Sequence, residues 1–418
     1  MQQGPSDSPT YVAAGGISLY RHPFCGPLSI DFSDRVWPEE ASDMIHLLET
    51  FMERSRQSSL RLVIDFPRYD LDEEVLFFVN ELTQSCHRWE SLSLTFTPLS
   101  PPLNALQSMR GCLPKLRHLC LKLDPIFRTW PGATVFDAFE LCPSLRSLDI
   151  SPAFHTEMHR LRLPWRQVKS LWIRDTYNKS ALDMLSECRD VERLQFSSVG
   201  GHSRGHPDFQ GYLTLNQMKS LIISDATWQF DVDDILLHTT LPEITSLEIS
   251  GASSRLVKQW AWSEIALTAF LLRSSCIITS LCLRWIPLTD RDALSLLTML
   301  PTVTHLCVEE YCDETTNRVV TKPFLHGLSI PSSSQRGILP SLTNITLVIH
   351  EKDIDEQAFT DALSTRCHSR RLGSARIVIM TENHEQRLLD CLRLFDGAGT
   401  QITIELETRH GSKQDTEI

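Results

Sequence analysis

Residues 201–205 read Gly-His-Ser-Arg-Gly and match the G-x-S-x-G pattern of serine hydrolases. In those enzymes the serine lies on a sharp turn between a strand and a helix, where a neighbouring base can activate it. A strand pattern at Leu194-Gln195-Phe196 precedes the match, but Pro207 and Gly211 follow it closely and oppose the helix that the turn requires. We therefore expect a glycine-rich loop here, with hydrolysis by Ser203 as the alternative function.

Two further groups of residues have the chemistry of metal ligands. His155 and His159 are four residues apart, which suits two imidazoles sharing a zinc ion on a helix, but they follow a Ser-Pro pair in a predicted connection. The carboxylates of Glu309-Glu310 and Asp313-Glu314 could bind a hard cation, but we favour an acidic loop after a strand. The sequence contains no phosphate-binding loop and no G-x-G-x-x-G pattern, so we expect no metal, no cofactor and no catalysis.

The twelve cysteines do not have the spacing of a disulfide framework or a zinc site. No C-x-x-C pair occurs, and the first residues have neither the basic nor the apolar region of a secretory signal. We therefore expect reduced thiols in a cytoplasmic or nuclear protein. Cys120, Cys282 and Cys307 each stand between two apolar residues of a strand pattern.

A recurring sequence motif, L-x-x-L-x-L, predicts the strands that position these residues. Its last two apolar places alternate, so they lie on one face of a strand. The middle apolar residue recurs at intervals of 23 to 39 residues, most of them within the 20–29 residue period of leucine-rich repeats. The middle residues are Leu92, Leu119, Leu148, Leu171, Leu194, Leu221, Leu247, Leu281, Leu306 and Ile345.

The pattern predicts an α/β fold, a right-handed leucine-rich-repeat solenoid with a curved parallel sheet on its concave side and helices on its convex side. We expect a loose N-terminal segment at residues 1–26, the solenoid at residues 27–408 and a polar tail at residues 409–418. No asparagine follows the strands at the place where regular repeats have one, so we expect degenerate repeats without an asparagine ladder.

Helical patterns occupy the intervals between the predicted strands. Capping boxes are predicted at Thr289 with Asp292 and at Asp231 with Asp234, and a late helix is predicted around Leu388 and Leu392. The predicted helices are 38–52, 72–87, 102–111, 134–141, 178–187, 231–239, 260–274 and 289–299.

The net charge limits the classes of molecule that the chain is expected to bind. The net charge of −12 opposes general binding to nucleic acids or to anionic membranes, which requires a basic face. No apolar run approaches the roughly 20 residues that cross a bilayer. The expected partner is therefore a protein.

Four stretches, taken in order, resemble the fungal F-box-like proteins with degenerate leucine-rich repeats, and the resemblance spans about residues 26–405. It implies the substrate-recognition part of a cullin-type ubiquitin ligase. The F-box segment, which opens near L-P-x-E, closes near C-R-x-W and docks on a Skp-type adaptor, is not found in the sequence. A Skp-type adaptor is therefore expected only if such a segment lies upstream of Met1. The four stretches are Gly26–Phe32, Cys86–Leu94, Leu163–Leu171 and Phe270–Cys276.

The residues between the strand leucines are predicted to face the concave side, where they would bind an unidentified protein. Trp172 is the most informative, because an exposed Trp beside Arg174 is typical of interface hot spots. The alternatives are that a neighbouring loop covers Trp172, or that the repeat protein has no partner. The predicted binding residues are Trp172, Arg174, Gln195, Lys122, Asp149, Glu248 and Arg284.

Overall fold

The computed structural model describes residues 13–14, 17–18, 28–31, 38–66, 73–96, 103–123, 135–151, 161–174, 178–197, 212–226, 229–251, 264–286, 288–310, 318–330, 337–350, 355–368, 372–381 and 401–408. These residues form two compact units, unit 1 up to Leu194 and unit 2 from Gln195 onward. Both units are mixed α/β structures. None of the helices within the described ranges is long and apolar enough to cross a membrane.

The strands of unit 1 confirm the parallel pairing predicted by the repeated L-x-x-L-x-L motif. β1 pairs antiparallel with β2, and β3 to β8 follow one another as parallel neighbours. The strands are β1 Ala13–Ala14, β2 Ile17–Ser18, β3 Leu28–Asp31, β4 Leu60–Asp65, β5 Trp89–Phe96, β6 His118–Leu123, β7 Ser147–Ile150 and β8 Ser170–Arg174.

One column of leucines holds these strands in register. Leu62 pairs with Leu92, Leu92 with Leu119, Leu119 with Leu148, and Leu148 with Leu171. All five are buried. The next strand, β9 (Arg193–Ser197), contains the boundary between the units, and its Leu194 is buried as well.

The helices of unit 1 bury part of their apolar residues. The first of them begins at Pro38, and the fixed φ of a proline favours a helix start. In the second, Phe78, Val79 and Leu82 are buried. The helices are α1 Pro38–Ser55, α2 Glu73–Gln84, α3 Leu103–Gln107 and α4 Asn178–Glu187, with short 3₁₀ turns at Cys86–Arg88 and Trp165–Gln167.

The helix predicted at 134–141 is wrong. Within residues 135–141 a turn covers residues 138–141, and Phe136 makes an isolated bridge to Leu161 that holds it in extended conformation. Phe136 and Phe139 are buried edge-to-face, with ring centroids 5.5 Å apart. Burial of two large rings on so short a segment therefore outweighs the weak helical period of the sequence.

Unit 2 repeats the same parallel arrangement. Leu221, Leu247, Leu281, Leu306, Ile345, Ala375 and Ile402 pair in succession along the strands from β11 to β18, with the short β10 and β12 paired separately. The strands are β10 Leu213–Thr214, β11 Ser220–Ala226, β12 Thr239–Thr240, β13 Ser246–Gly251, β14 Ser280–Arg284, β15 His305–Glu309, β16 Asn344–His350, β17 Ser374–Thr381 and β18 Gln401–Thr408.

Two helix starts of unit 2 can be compared with the predicted capping boxes. The box at Thr289 and Asp292 is confirmed, because Asp292 N donates to Thr289 Oγ1 at 3.1 Å and Thr289 N to Asp292 Oδ2 at 3.4 Å. The box at Asp231 is wrong, because the helix begins at Gln229 and Asp231 lies inside it. The helices are α5 Gln229–His238, α6 Glu264–Ser274, α7 Asp290–Met299, α8 Lys322–Leu328 and α9 Glu356–His368.

Arginines on two of these helices bind the carboxyl end of the preceding described helix. Arg273 of α6 donates to the carbonyl oxygens of Leu236 and Thr239 at 2.5 and 2.6 Å, where α5 ends. Arg366 of α9 donates to the carbonyl oxygen of Leu328, the last residue of α8, at 2.5 Å. Both guanidinium groups therefore satisfy carbonyl groups in the last turn of a helix or directly after it, where the helix offers no donor.

Several predicted features lie outside the described residues. These are most of the loose N-terminal segment, the late helix around Leu388 and Leu392, and the polar tail at residues 409–418.

Candidate protein-binding surface

The alternation predicted for the strand around Trp172 is present in β8. Leu171 and Ile173 are buried, whereas Trp172 and Arg174 are partly exposed on the opposite face. The same alternation occurs in β7, where Asp149 lies between buried Leu148 and Ile150. The two strands therefore present their polar and aromatic side chains on one common face.

Asp149, Trp172 and Arg174 form a connected group, which we call the Trp172 cluster. Asp149 is the register partner of Trp172. Arg174 crosses to Asp149 and donates from Nε and from Nη2 to its two carboxylate oxygens at 2.9 and 2.7 Å. The guanidinium carbon of Arg174 also lies 3.4 Å from the centroid of the Trp172 ring. Asp149 thus fixes the plane of the arginine above the indole.

This geometry changes the role expected of Arg174. The sequence predicted Arg174 as a residue that binds the partner, but its Nε and Nη2 donate to Asp149, and its side chain is only 29% exposed. The cluster is therefore a pre-organised surface of indole and guanidinium whose positive charge is matched by Asp149. A surface ordered in advance loses little conformational entropy when a partner binds.

Cys120 and Lys122 of β6 continue this face. Cys120 is the register partner of Asp149, and its Sγ lies 3.3 Å from Asp149 Oδ2. Burial, and then the charge of Asp149, raise the pKa of the Cys120 thiol to about 11. Cys120 is therefore a protonated donor to Asp149 at neutral pH. Lys122, two residues further along β6, is partly exposed on the same face.

A second group lies on the strand face of unit 2, and we call it the Arg284 cluster. It consists of Glu248, Cys282, Arg284, Trp285, Cys307 and Glu309. Arg284 Nε lies 3.6 Å from a carboxylate oxygen of Glu248 on β13 and 3.6 Å from one of Glu309 on β15. One cation on the middle strand is thus placed between two carboxylates on the strands that flank it.

Trp285 is a member of this cluster that sequence reasoning missed. Its indole Nε1 donates to Glu309 Oε1 at 2.9 Å and its amide donates to the Glu309 carbonyl oxygen at 2.8 Å. Its φ of 54° lies in the left-handed region, which bulky residues rarely adopt. The position of a Trp directly after Arg284 at a strand end was the signal that could have found it.

Cys282 and Cys307 face each other within the same cluster. They are register partners on β14 and β15, both are partly exposed, and Arg284 Nε donates to Cys282 Sγ at 3.2 Å. The hydrogen bond from Cys282 lowers the pKa of the Cys307 thiol, and the charge of Arg284 lowers it further, to about 7. The same hydrogen bond, together with burial, raises the pKa of the Cys282 thiol.

The predicted binding residues therefore fall into two groups. Asp149, Trp172 and Arg174 are in direct contact in unit 1, and Glu248 and Arg284 are adjacent in unit 2. Gln195 lies partly exposed on the part of β9 that belongs to unit 2.

No family model matches the sequence, and no curated protein matches it. We therefore infer the function from the geometry of the Trp172 cluster and the Arg284 cluster.

Most of the residues considered for catalysis or metal binding lie outside the described part of the chain. Ser203, His155, His159 and the pair Asp313-Glu314 lie outside it. Glu310 accepts hydrogen bonds from the amides of Val319 and Val320 at 3.0 and 2.8 Å, so its carboxylate fixes a turn. Within the described ranges, no group of three or more His, Cys, Asp or Glu side chains is placed to hold a metal ion.

Proposed function

We propose that the chain is a non-catalytic protein-recognition scaffold built as a right-handed leucine-rich-repeat solenoid. Parallel strand pairing within each unit, with a helix in most connections, supports this architecture, because parallel crossovers are nearly always right-handed. In such a solenoid the strand face is the concave side, which repeat proteins use to bind other proteins.

The observation that carries the proposal is the arrangement of Trp172, Arg174 and Asp149. A tryptophan that remains partly exposed, beneath an arginine that a carboxylate holds in place, has the composition and rigidity of a binding hot spot. A chain without a partner gains little by keeping so much apolar surface near water. We therefore place the centre of the binding surface at the Trp172 cluster, with Lys122 at its edge.

The cluster also suggests the chemistry of the partner. Because Asp149 matches the charge of Arg174, the anchor is a flat apolar and π-rich surface. The partner would supply an aliphatic or aromatic side chain to the indole, and the polar rim would fix its orientation. By resemblance, the partner would be a substrate of a cullin-type ubiquitin ligase, and a Skp-type adaptor would bind only through an F-box segment of the full protein.

A site-specific crosslinking experiment tests this proposal. A photoreactive amino acid is placed at position 172, and at position 165 in a control, and the purified chain is irradiated in an extract of the source organism. Trp165 is the matched control because it is a partly exposed Trp of the same unit that lies on a 3₁₀ turn away from the strand face. We expect a partner that crosslinks at position 172 and not at position 165.

The purified partner then gives a quantitative result. Trp172→Ala should weaken its binding by at least about tenfold, which corresponds to about 1.4 kcal/mol. Trp165→Ala should leave the affinity unchanged, provided that circular dichroism shows both variants folded. Equal crosslinking at both positions, or unchanged affinity of Trp172→Ala, would show that this face is not the binding surface.

A further inference from the structure

Two thiols in the Arg284 cluster have the placement of a redox pair. Cys282 and Cys307 are register partners in neighbouring parallel strands, so their side chains leave the sheet on the same face. Neighbouring strands lie about 4.8 Å apart, which is within the Cα separation of about 4.4–6.8 Å found in disulfides. The Cα separation therefore permits a disulfide, which a small approach of the two Cβ atoms would complete.

We propose that Cys282 and Cys307 are a reversible oxidation site, at which a hydroperoxide converts the two thiols into a disulfide. This modification is separate from the proposed binding function and does not depend on it.

Arg284 supplies the electrostatic environment that such a reaction needs. The nucleophile in thiol oxidation is the thiolate, and Arg284 Nε lies 3.2 Å from Cys282 Sγ. The thiol of Cys282 stabilises the thiolate of Cys307 by donating a hydrogen bond, and this lowers the pKa of Cys307. In a coupled pair of this kind, the first proton leaves more easily than that of an isolated thiol and the second less easily.

The other described cysteines lack this combination of features. Cys142 and Cys188 are buried, and burial raises the pKa of each thiol to about 12. Cys120 holds an equivalent place on a strand of unit 1, but its register partners are Ser93 and Asp149, so no second thiol faces it. Cys282 and Cys307 are both partly exposed, so a small oxidant can reach them.

The reaction balances with hydrogen peroxide as the oxidant. The Cys307 thiolate attacks one peroxide oxygen, the O–O bond breaks, hydroxide leaves, and Cys307 becomes a sulfenic acid. The sulfur of Cys282, giving up its proton, then attacks the Cys307 sulfur, and water leaves as the disulfide forms. The two sulfurs lose two electrons and the peroxide gains them. A thiol such as dithiothreitol reverses the step by exchange.

Peptide mapping of the full chain tests the proposal. The reduced protein is treated with hydrogen peroxide at pH 7, the remaining thiols are blocked with iodoacetamide, and the digest is analysed without reduction. We expect a cross-linked peptide containing Cys282 and Cys307, two hydrogen masses lighter than its separate halves, that disappears on treatment with dithiothreitol. We also expect it to form before Cys120 is oxidised.

Variants identify the role of each residue. In Cys282→Ser the cross-link should be absent, and dimedone should trap a sulfenic acid at Cys307. Arg284→Gln should slow alkylation of the pair at pH 7 by about fivefold, the fall in the thiolate fraction when a pKa of about 7 rises by one unit. Arg291→Gln, which removes an exposed arginine of α7, should leave the rate unchanged.

The wild-type digest decides the outcome without any variant. If no peptide linking Cys282 to Cys307 forms, if either cysteine joins a different one, or if Cys120 is oxidised as fast, the proposal is wrong.

Discussion

Thr304 donates both its amide N–H and its hydroxyl to the carbonyl oxygen of Thr279, at 2.8 and 3.1 Å. Thr343 makes the same two bonds to Thr304, at 2.9 and 3.1 Å, and Thr279 makes them to Thr245, at 2.9 and 3.3 Å. Each bond lies just before a strand begins. This threonine ladder links successive repeats of unit 2.

Replacing Thr304 with Val should destabilise unit 2 by about 0.5–1.5 kcal/mol, the net contribution of one hydrogen bond. The change keeps the shape of the side chain and removes the hydroxyl donor, while the amide bond to Thr279 remains. Hydrogen exchange of the amides of residues 304–309 measures the effect. Thr298→Val is the control, because the Thr298 hydroxyl bonds only within its own exposed helix turn. Equal effects of both changes would show that the ladder contributes nothing.

Replacing Leu171 with Ala should lower the free energy of unfolding by about 2–5 kcal/mol, because Leu171 is fully buried in the column of unit 1. Urea denaturation followed by circular dichroism measures the loss. Ser170→Ala, on the partly exposed face of the same strand, should change stability by less than about 0.5 kcal/mol. A loss at Leu171 as small as that at Ser170 would contradict the column.

Asp149 and Arg174 should show a coupling of about 1–3 kcal/mol in a double-mutant cycle of Asp149→Asn and Arg174→Gln. Their two hydrogen bonds are charge-assisted and mostly shielded from water, with side chains 17% and 29% exposed. Arg376 and Glu405 form a matched control pair with two similar bonds but 53% and 39% exposure, and should couple by less than about 1 kcal/mol. Equal couplings would mean that Asp149 does not position Arg174.

Replacing Arg366 with Leu should cost at least about 3 kcal/mol. Arg366 is 2% exposed and donates to the carbonyl oxygens of Leu328, Leu339 and Ile338, all of which the change leaves without this donor. Thermal unfolding measures the loss, with the exposed Arg291→Leu of α7 as control. Unchanged stability of Arg366→Leu would show that other donors replace it.

The strands were largely predictable because alternation leaves a strong signal in short segments. The two apolar residues of an L-x-L motif, such as Leu148 and Ile150, must be buried together. Only a strand places residues two apart in the sequence on the same face. The helices were less predictable. The non-helical conformation of residues 135–141 depends on a bridge between Phe136 and Leu161, residues distant in sequence, which no local pattern records.

Two helices were missed for identifiable reasons. α8 contains Pro323 and Gly327, which read as loop signals. A Cβ at Gly327 would lie 2.5 Å from Leu294 Cδ2, so a larger residue there would require the Leu294 side chain of α7 to move. α9 buries a charged residue, Arg366. Its guanidinium donates hydrogen bonds to carbonyl groups of other segments.

The sequence was sufficient to predict which residues form the candidate site, but not which contacts they make with one another. Alternation placed Asp149, Trp172 and Arg174 on one face. The hydrogen bonds between Arg174 and Asp149 depend on the register of β7 and β8, which the sequence does not state. For the same reason the contact of Trp285 with Glu309, on the neighbouring strand, could not be foreseen.

The arginines that bind preceding helix ends have a consequence for the order of synthesis. Arg273 follows α5 in the chain, and Arg366 follows α8, so each helix is completed by a donor that the ribosome adds later. In a growing chain, the carbonyl groups of Leu236 and Thr239 stay exposed to water until α6 has emerged. In a nascent chain, α5 and α8 are therefore open to chaperones and proteases at their carboxyl ends until the helix that carries the arginine has been made.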